Sequence, residues 1–439
     1  MSDFIVYLNA FPAIQADFNA VSELMLGLMM RNVTTAGWVI QDPSSRVSIP
    51  GCIIASPSYP ADNPDTDQNY IYNWTRDSAI TAVELNAAKF ASNLEDYVSF
   101  ANIAQIAAQS DNKPIGWACY YIDGTPRDWT EQGDGPALQT LAILQAWSQL
   151  GSAARATASS VVNKNLTYLL GAYQKPLFNL WEETSGYSFF TRSVQLECFT
   201  ELLAQTSVVG ITSQQQTQIQ AACADLKTQL ATHWNATNGL YESILPINSG
   251  RGADLNVDVV MASVYGAISC LDSKLLATAA QIRSTFADSG SPYFYQINAQ
   301  DATLGMGPMM GRYPGDTYDG DLSAGETPGG HPWAPCTCNF AELYYMVAAA
   351  INQSNKLTID NLSAPFFAQI GINQGTSVAN AVNSLRNAGD QMLRAIVRHS
   401  AHLELSEQFD GNDGYEMSVQ NLTWSYASFM SAVRARNQI

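Results

Sequence analysis

Positive charge is scarce in this 439-residue chain: Lys and Arg number 21 against 39 Asp and Glu, for a formal net charge of -18. Such a surface repels polyanions, so nucleic acid is not an expected partner. Charged residues of both signs make up only 14%, whereas 46% of the chain is hydrophobic, enough for a large core. Long apolar runs are missing as well. The most apolar stretch, Leu24 to Met30, reads as the buried face of a helix, so no membrane span is expected. No basic region precedes Arg31, the first positive residue, so no secretory signal is visible.

Seven cysteines are an odd number, at Cys52, Cys119, Cys198, Cys223, Cys270, Cys336 and Cys338. Their spacing matches neither paired Cys-x-x-Cys zinc sites nor a disulfide-dense scaffold, and buried free thiols are the leading expectation. Among the four histidines only His399 and His402 stand at helical spacing, without an acidic cage, so neither a metal nor a cofactor is called for. Asn-x-Ser/Thr sequons occur at Asn32, Asn165, Asn235, Asn352, Asn361 and Asn421, and matter only in a glycosylating pathway.

What the chain does have is helical periodicity from end to end. Apolar spacing predicts helices over 16–32, 75–91, 97–110, 135–150, 154–173, 193–205, 213–234, 257–270, 274–287, 339–353, 378–399 and 423–436. Strand signals are short and scattered. Long loops rich in Gly, Pro, Asp, Trp and Tyr separate many of these segments, at 56–73, 112–134, 174–190, 305–335 and 404–420. Long loops in a compact domain are usually functional. No low-complexity linker or charge break divides the sequence, so one domain over 1–439 is expected, with helix pairs forming a double ring and a site in the loops at one end.

The loops carry distinctive chemistry. Phe178-Asn179-Leu180-Trp181-Glu182-Glu183 sets two carboxylates behind a tryptophan, in an apolar frame that can raise an acid's pKa beside a sugar-stacking ring. The same Trp-Glu-Glu could open a helix, with its acids facing the positive end of the dipole. Tyr70-Ile71-Tyr72-Asn73-Trp74-Thr75-Arg76-Asp77 offers aromatic faces with an Arg and an Asp able to hold vicinal hydroxyls, or to pair with each other. Asp134-Gly135-Pro136 suits a helix start, leaving Trp129 as the contact from its loop. Gly311-Arg312-Tyr313-Pro314-Gly315-Asp316 adds an Arg and an Asp, which could equally hold the loop together, and His331-Pro332-Trp333 follows. A lone histidine such as His331 is more often structural than catalytic. Glu407, 225 positions beyond Glu182, is the second carboxylate that an acid–base pair needs.

Taken together these islands resemble the glucoamylase family of inverting glycoside hydrolases, glucan 1,4-α-glucosidases. The match runs through Tyr70 to Ser78, Asp134 to Leu138, Leu180 to Glu183, Gly311 to Tyr318, Glu407 to Phe409 and Leu422 to Ala427, in family order. The resemblance implies an all-α (α/α)6 barrel with its active site in the loops at one end. It implies exo-acting release of β-glucose from the non-reducing ends of α-glucans and malto-oligosaccharides, including some α-1,6 links. Glu182 would be the general acid and Glu407 the general base, with carboxyls ~6.5–9.5 Å apart to admit a water. Tyr70, Trp74, Arg76, Asp77, Trp129, Leu180, Trp181, Glu183, Arg312, Asp316, Trp333 and Trp424 would bind substrate, with Glu183 and Asp316 serving the neighbouring sugar or supporting the Arg residues. The resemblance further implies a secreted monomer, and no separate starch-binding module is evident.

Several features depart from the family pattern, among them a Trp129 loop about one residue short and the absence of the fungal cysteine framework. Asn179 stands where most relatives carry Asp, and Glu131 stands near a position that is usually basic. Residues 319–330 form a Gly-rich insertion. A relative acting on dextran or trehalose, and a catalytically silent glucan binder, are the competing functions; the latter would be marked by loss of Glu182 or Glu407, and both are present.

Overall fold

The computed structural model describes residues 15–58, 68–247, 250–318, 320 and 330–439. Part of the first aromatic loop and nearly all of the 319–330 insertion lie outside the described residues.

Twelve helices build the body: α1 (Gln15–Met29), α2 (Thr75–Ala87), α3 (Ala91–Ser110), α4 (Gly135–Ala146), α5 (Ser152–Ala172), α6 (Phe189–Ala204), α7 (Ser213–Ala231), α8 (Asp258–Val264), α9 (Ser273–Ala287), α10 (Ala334–Ser354), α11 (Val378–His399) and α12 (Thr423–Arg436). The even-numbered helices form a closed inner ring, in which α2 packs on α4, α4 on α6, α6 on α8, α8 on α10, α10 on α12, and α12 back on α2. The odd-numbered helices lie outside: α3 against α2, α5 against α4, α7 against α6, α9 against α8, α11 against α10 and α1 against α12. This is an (α/α)6 barrel.

Residue type sorts the two rings. Inner helices are covered on all sides, so α4 buries everything from Gly135 to Leu144 and α12 buries nearly its whole length. Outer helices show one apolar stripe. In α7 it is Ile219, Ala222, Cys223, Leu226 and Leu230, the spacing of a single helical face. The Thr212–Gln215 capping box fixes where that helix begins. Outer α11 crosses inner α10 closely at Gly389, where a Cβ would stand 2.6 Å from the Tyr345 ring. No helix among the described residues is long and apolar enough to cross a membrane. All seven cysteines are unpaired, and all but Cys270 are buried.

Each inner helix begins at the same end of the ring, and the loops meet there. The starts of α2, α10 and α12 place Trp74, Arg76, Asp77, Trp333 and Trp424 around one cavity.

Candidate active site

The hexapeptide Phe178–Glu183 forms the turn of a hairpin: Leu177–Phe178 pairs antiparallel with Ser185–Ser188, Phe178 opposite Ser185. The helix-start alternative fails here, because Asn179 takes the backbone groups that a helix would use. Its side-chain oxygen accepts the N–H groups of Glu183 (3.1 Å) and Thr184 (3.2 Å). Its carbonyl accepts the Glu182 N–H (3.0 Å) and the Gln132 amide (2.6 Å). So held, Glu182 adopts φ +66°, a region costly for a residue with a Cβ, and it lines the cavity.

Two groups grip the Glu182 carboxylate. Trp129 donates its indole N–H to Oε2 at 2.6 Å, and Arg76 Nη2 lies 3.5 Å from Oε1. Burial raises the Glu182 pKa; Arg76 and Trp129 pull it down, while Asp77 and Asp134 add to the rise. Arg76 is itself braced by Asp134 at 3.3 Å and Asp77 at 3.5 Å. Asp134, expected to be architectural, thus also positions this guanidinium. The Asp77 Oδ2 and Arg76 Nε atoms are buried and make no hydrogen bond, only this 3.5 Å ion pair with each other.

Glu407 enters from the far end of the chain. Its N–H bonds the Val419 carbonyl (2.9 Å), and its own carbonyl accepts the N–H of Ala334 (3.0 Å) at the start of α10. The Ser418 hydroxyl donates to Oε2. Burial drives the Glu407 pKa up to about 7, against the opposing pull of Ser418 and Arg312. Tyr70, 3.0 Å from the Tyr318 hydroxyl, feels both acids: burial raises its pKa, and the charges of Glu407 and Glu182 raise it further. The two carboxylates therefore share one site.

On the opposite wall Arg312 is clamped by Asp316 through two 2.7 Å bonds and reaches Glu183 at 2.7 Å. Glu183 also accepts the Tyr313 hydroxyl at 2.6 Å. Trp181 anchors the aromatic lining, 5.5 Å from Trp333 and stacked at 6.0 Å on Trp424, with its N–H on Asn256. Tyr70 and Trp74 (5.2 Å) and Trp74 and Trp129 (6.2 Å) form the other aromatic edge.

The cavity encloses about 300 Å³. Every site residue expected from sequence lines it except Asp316, which stands behind Arg312 and holds it. His331 is buried outside the lining, its ring accepting the Gly411 N–H. Gln68, Asn69, Arg127 and Tyr318 also line the cavity and were not anticipated as site residues. Tyr318 ends the Gly311 motif, so its place was a readable signal. Arg127 sits 4.0 Å over the Trp129 ring, and a cation two residues before an aromatic is the one hint that the sequence offers.

Comparison with known proteins agrees with this arrangement. The family model for glycosyl hydrolases family 15 matches residues 24–434. A probable glucoamylase of Schizosaccharomyces pombe is 26% identical over 438 residues, covering 95% of this chain and 90% of its own length. A glucoamylase of Saccharomyces cerevisiae described as intracellular and sporulation-specific is 28% identical, covering 89% and 79%. In fold, the chain matches the family 15 glucoamylase of Hypocrea jecorina with a TM-score of 0.80 at 24% identity, over 97% of this chain and 72% of that one. It matches the Saccharomycopsis fibuligera glucoamylase at 0.79 and 23% identity, over 97% and 96%. The chain belongs to glycosyl hydrolase family 15.

Proposed function

We propose that this glycoside hydrolase removes single glucose units from the non-reducing ends of α-1,4-linked glucans and malto-oligosaccharides, cutting some α-1,6 links as well, and releases β-glucose. The observation that carries the reading is one cavity with two carboxylates in different company: partly exposed Glu182 with Arg76 and the Trp129 N–H, and buried Glu407 with the Ser418 hydroxyl.

In this mechanism Glu182 gives its proton to the glycosidic oxygen as the C1–O bond breaks. Glu407 takes a proton from the water that attacks C1 from the opposite face, so the configuration inverts. The pair titrates as a unit, and its working form carries one proton, on Glu182. A second proton stops the base and loss of the first stops the acid, so the rate follows a bell in pH. Arg76, Asp77 and Arg312 hold the hydroxyls of the terminal glucose, with Asp316 fixing Arg312 and Glu183 shared between Arg312 and the next sugar. Tyr70, Trp74, Trp129, Leu180, Trp181, Trp333 and Trp424 form the walls. All of these come from one chain, which supports action as a monomer.

The family resemblance points to secretion, while one relative is described as intracellular. The sequons narrow the route. Asn32, Asn165 and Asn421 are buried, as is Asn73, which opens a seventh sequon with Trp74 and Thr75. A glycan on any of them cannot be accommodated in this fold, so we propose that the chain folds outside an N-glycosylating pathway.

The test is to follow the anomer of glucose released from maltose, maltotriose, isomaltose, trehalose and soluble starch by NMR. Initial β-glucose from the α-1,4 substrates is expected, and initial α-glucose would refute inversion. Release from trehalose or isomaltose alone would favour the competing specificities, and no release at all the silent glucan binder. Glu182→Gln and Glu407→Gln should each lower kcat by roughly 10²–10⁴-fold.

A further inference from the structure

A second cavity, of about 340 Å³, lies at the opposite end of the barrel from the Glu182–Glu407 site. All six inner helices contribute to it. Glu84, Glu201 and Arg434 come from the last turns of α2, α6 and α12, Gln145 from the end of α4, Val264 and Tyr265 from the end of α8, and Glu342 from the middle of α10. The last turns of α2, α4, α6, α8 and α12 come together here, whereas α10 runs on past the cavity to Ser354. Each helix end carries roughly half a negative charge.

The side chains add to that field instead of cancelling it. Arg434, the only cation in the lining, is already bound to Glu84 at 2.5 Å. Glu197 and Glu201 lie side by side on α6, and burial together with the Glu201 charge raises the Glu197 pKa. Glu342 is 6% exposed; one oxygen accepts the Ser431 hydroxyl at 2.8 Å, and the other is buried without a hydrogen-bond partner. Burial drives its pKa up to about 7, against the opposing pull of Ser431, Arg434 and Asn339. A buried carboxylate oxygen left unpaired at a cavity wall is a costly arrangement that a donor in the cavity would relieve. Leu138, Leu141, Leu144, Ile80 and Val83 supply an apolar side to the same space. Carboxylates on one wall and methyl groups on another match an alkylammonium group, with its N–H donors and hydrocarbon body, better than a hydrated metal ion. No cluster with metal-ligand geometry occurs among the described residues.

We propose that the base of the barrel is a binding site for a small organic cation of the alkyl diamine class, held by Glu197, Glu201 and Glu342. Its occupation would also touch the catalytic end through one shared contact: Tyr265, in the lining of this cavity, accepts the indole N–H of Trp424 (3.3 Å), which lines the other.

The probe is 1,4-diaminobutane, titrated calorimetrically into the full chain at constant ionic strength, with 1,4-butanediol as the neutral control. Saturable one-to-one binding of the diamine and none of the diol is expected. The double variant Glu197→Gln/Glu201→Gln, at half-buried positions away from the catalytic residues, should weaken binding by about tenfold or more while keeping maltose hydrolysis. Asp77→Asn, in the other cavity, should leave diamine affinity unchanged. The proposal is overturned by absence of saturable heat with the parent chain, by equal affinity in the double variant, which would mean diffuse attraction to the acidic surface, or by loss of binding in Asp77→Asn, which would place the diamine in the catalytic cavity.

Discussion

Asn179→Asp tests the role proposed for Glu182 as the acid. The Asn179 oxygen accepts two backbone N–H groups, and an Asp would keep both bonds, while the side-chain nitrogen that it replaces is buried with no partner. The substitution is therefore structurally mild, and its effect is electrostatic. Asn179 is 1% exposed, so solvent does little to screen the new charge. At a separation from Glu182 on the order of 7 Å and an effective dielectric of about 20, the repulsion is worth roughly 2 kcal/mol, or between about one and two pKa units. Arg76 and Arg312 absorb part of it, leaving about one unit. An added negative charge disfavours ionisation of Glu182, so the acid keeps its proton to higher pH. The basic limb of kcat/KM for maltose should move up by about one unit in the variant, with the acidic limb displaced less. Identical basic limbs would show that Asn179 serves only to shape the turn, and that burial together with Arg76, Trp129, Asp77 and Asp134 sets the Glu182 pKa.

Ser418→Ala acts on the other limb. It removes a hydroxyl that favours ionised Glu407, so the base's pKa rises and the acidic limb should move to higher pH by about half to one unit, read from the same profiles. Glu342 bears on stability. Its pKa in the fold, about 7, lies above the ordinary 4.5, so the folded state holds the proton more tightly and stability falls as pH rises from about 4.5 to 7. Glu342→Gln should remove that loss, gaining up to ~3 kcal/mol at neutral pH and little in acid, as denaturant titrations at the two pH values will show. Expression through an N-glycosylating pathway should yield misfolded chain in proportion to occupancy at Asn165, whose side chain bonds Gln105, Gln139 and Thr140 inside the barrel. Thr167→Ala removes that sequon from an exposed helix position and should raise the yield; an unchanged yield with Asn165 demonstrably glycosylated in active enzyme would refute the argument.

The sequence was most readable where one face of a helix meets water. The apolar stripe of outer helix α11 gave 378–399, which agrees with the structure; 423–436 agrees as well, although inner helix α12 is buried along nearly its whole length. Reading failed where tertiary contacts override pattern. The apolar run at 257–270 continues past Val264, yet the helix stops there. The backbone of Ala267 instead bonds the Ser193 hydroxyl (2.9 Å), and a Cβ on Gly266 would strike that side chain. Helix α10 begins at Ala334, five residues before the expected start, although Pro335 in its first turn was the available sign. The short helix Gln296–Thr303 buries only Ile297, Asn298 and Asp301 and carries too little pattern to be seen. At the site, residues with catalytic chemistry stood out within their loops. Gln68 and Asn69 did not, because only the fold brings amides of that kind to the cavity. Asp316 follows the alternative that the motif left open: it pairs with Arg312 and places both carboxylate oxygens on that guanidinium.

The closing of the inner ring has a consequence for how the chain is made. α12 fits between α10 and α2, and the Asn437 side chain bonds that of Asn19 on α1. The first helices to leave the ribosome must therefore wait, one flank uncovered, for the last. Until α12 arrives, Leu422 and Trp424 are missing from the cavity as well, so a nascent chain has neither a sealed barrel nor a finished pocket. The same adjacency makes the starting point of the ring arbitrary. A permuted chain, with residues near 19 and 437 joined and new ends opened at the surface turn Gly210–Thr212, would meet the same neighbours in a different order of synthesis, with its seam at the α6–α7 turn rather than between the first and last helices.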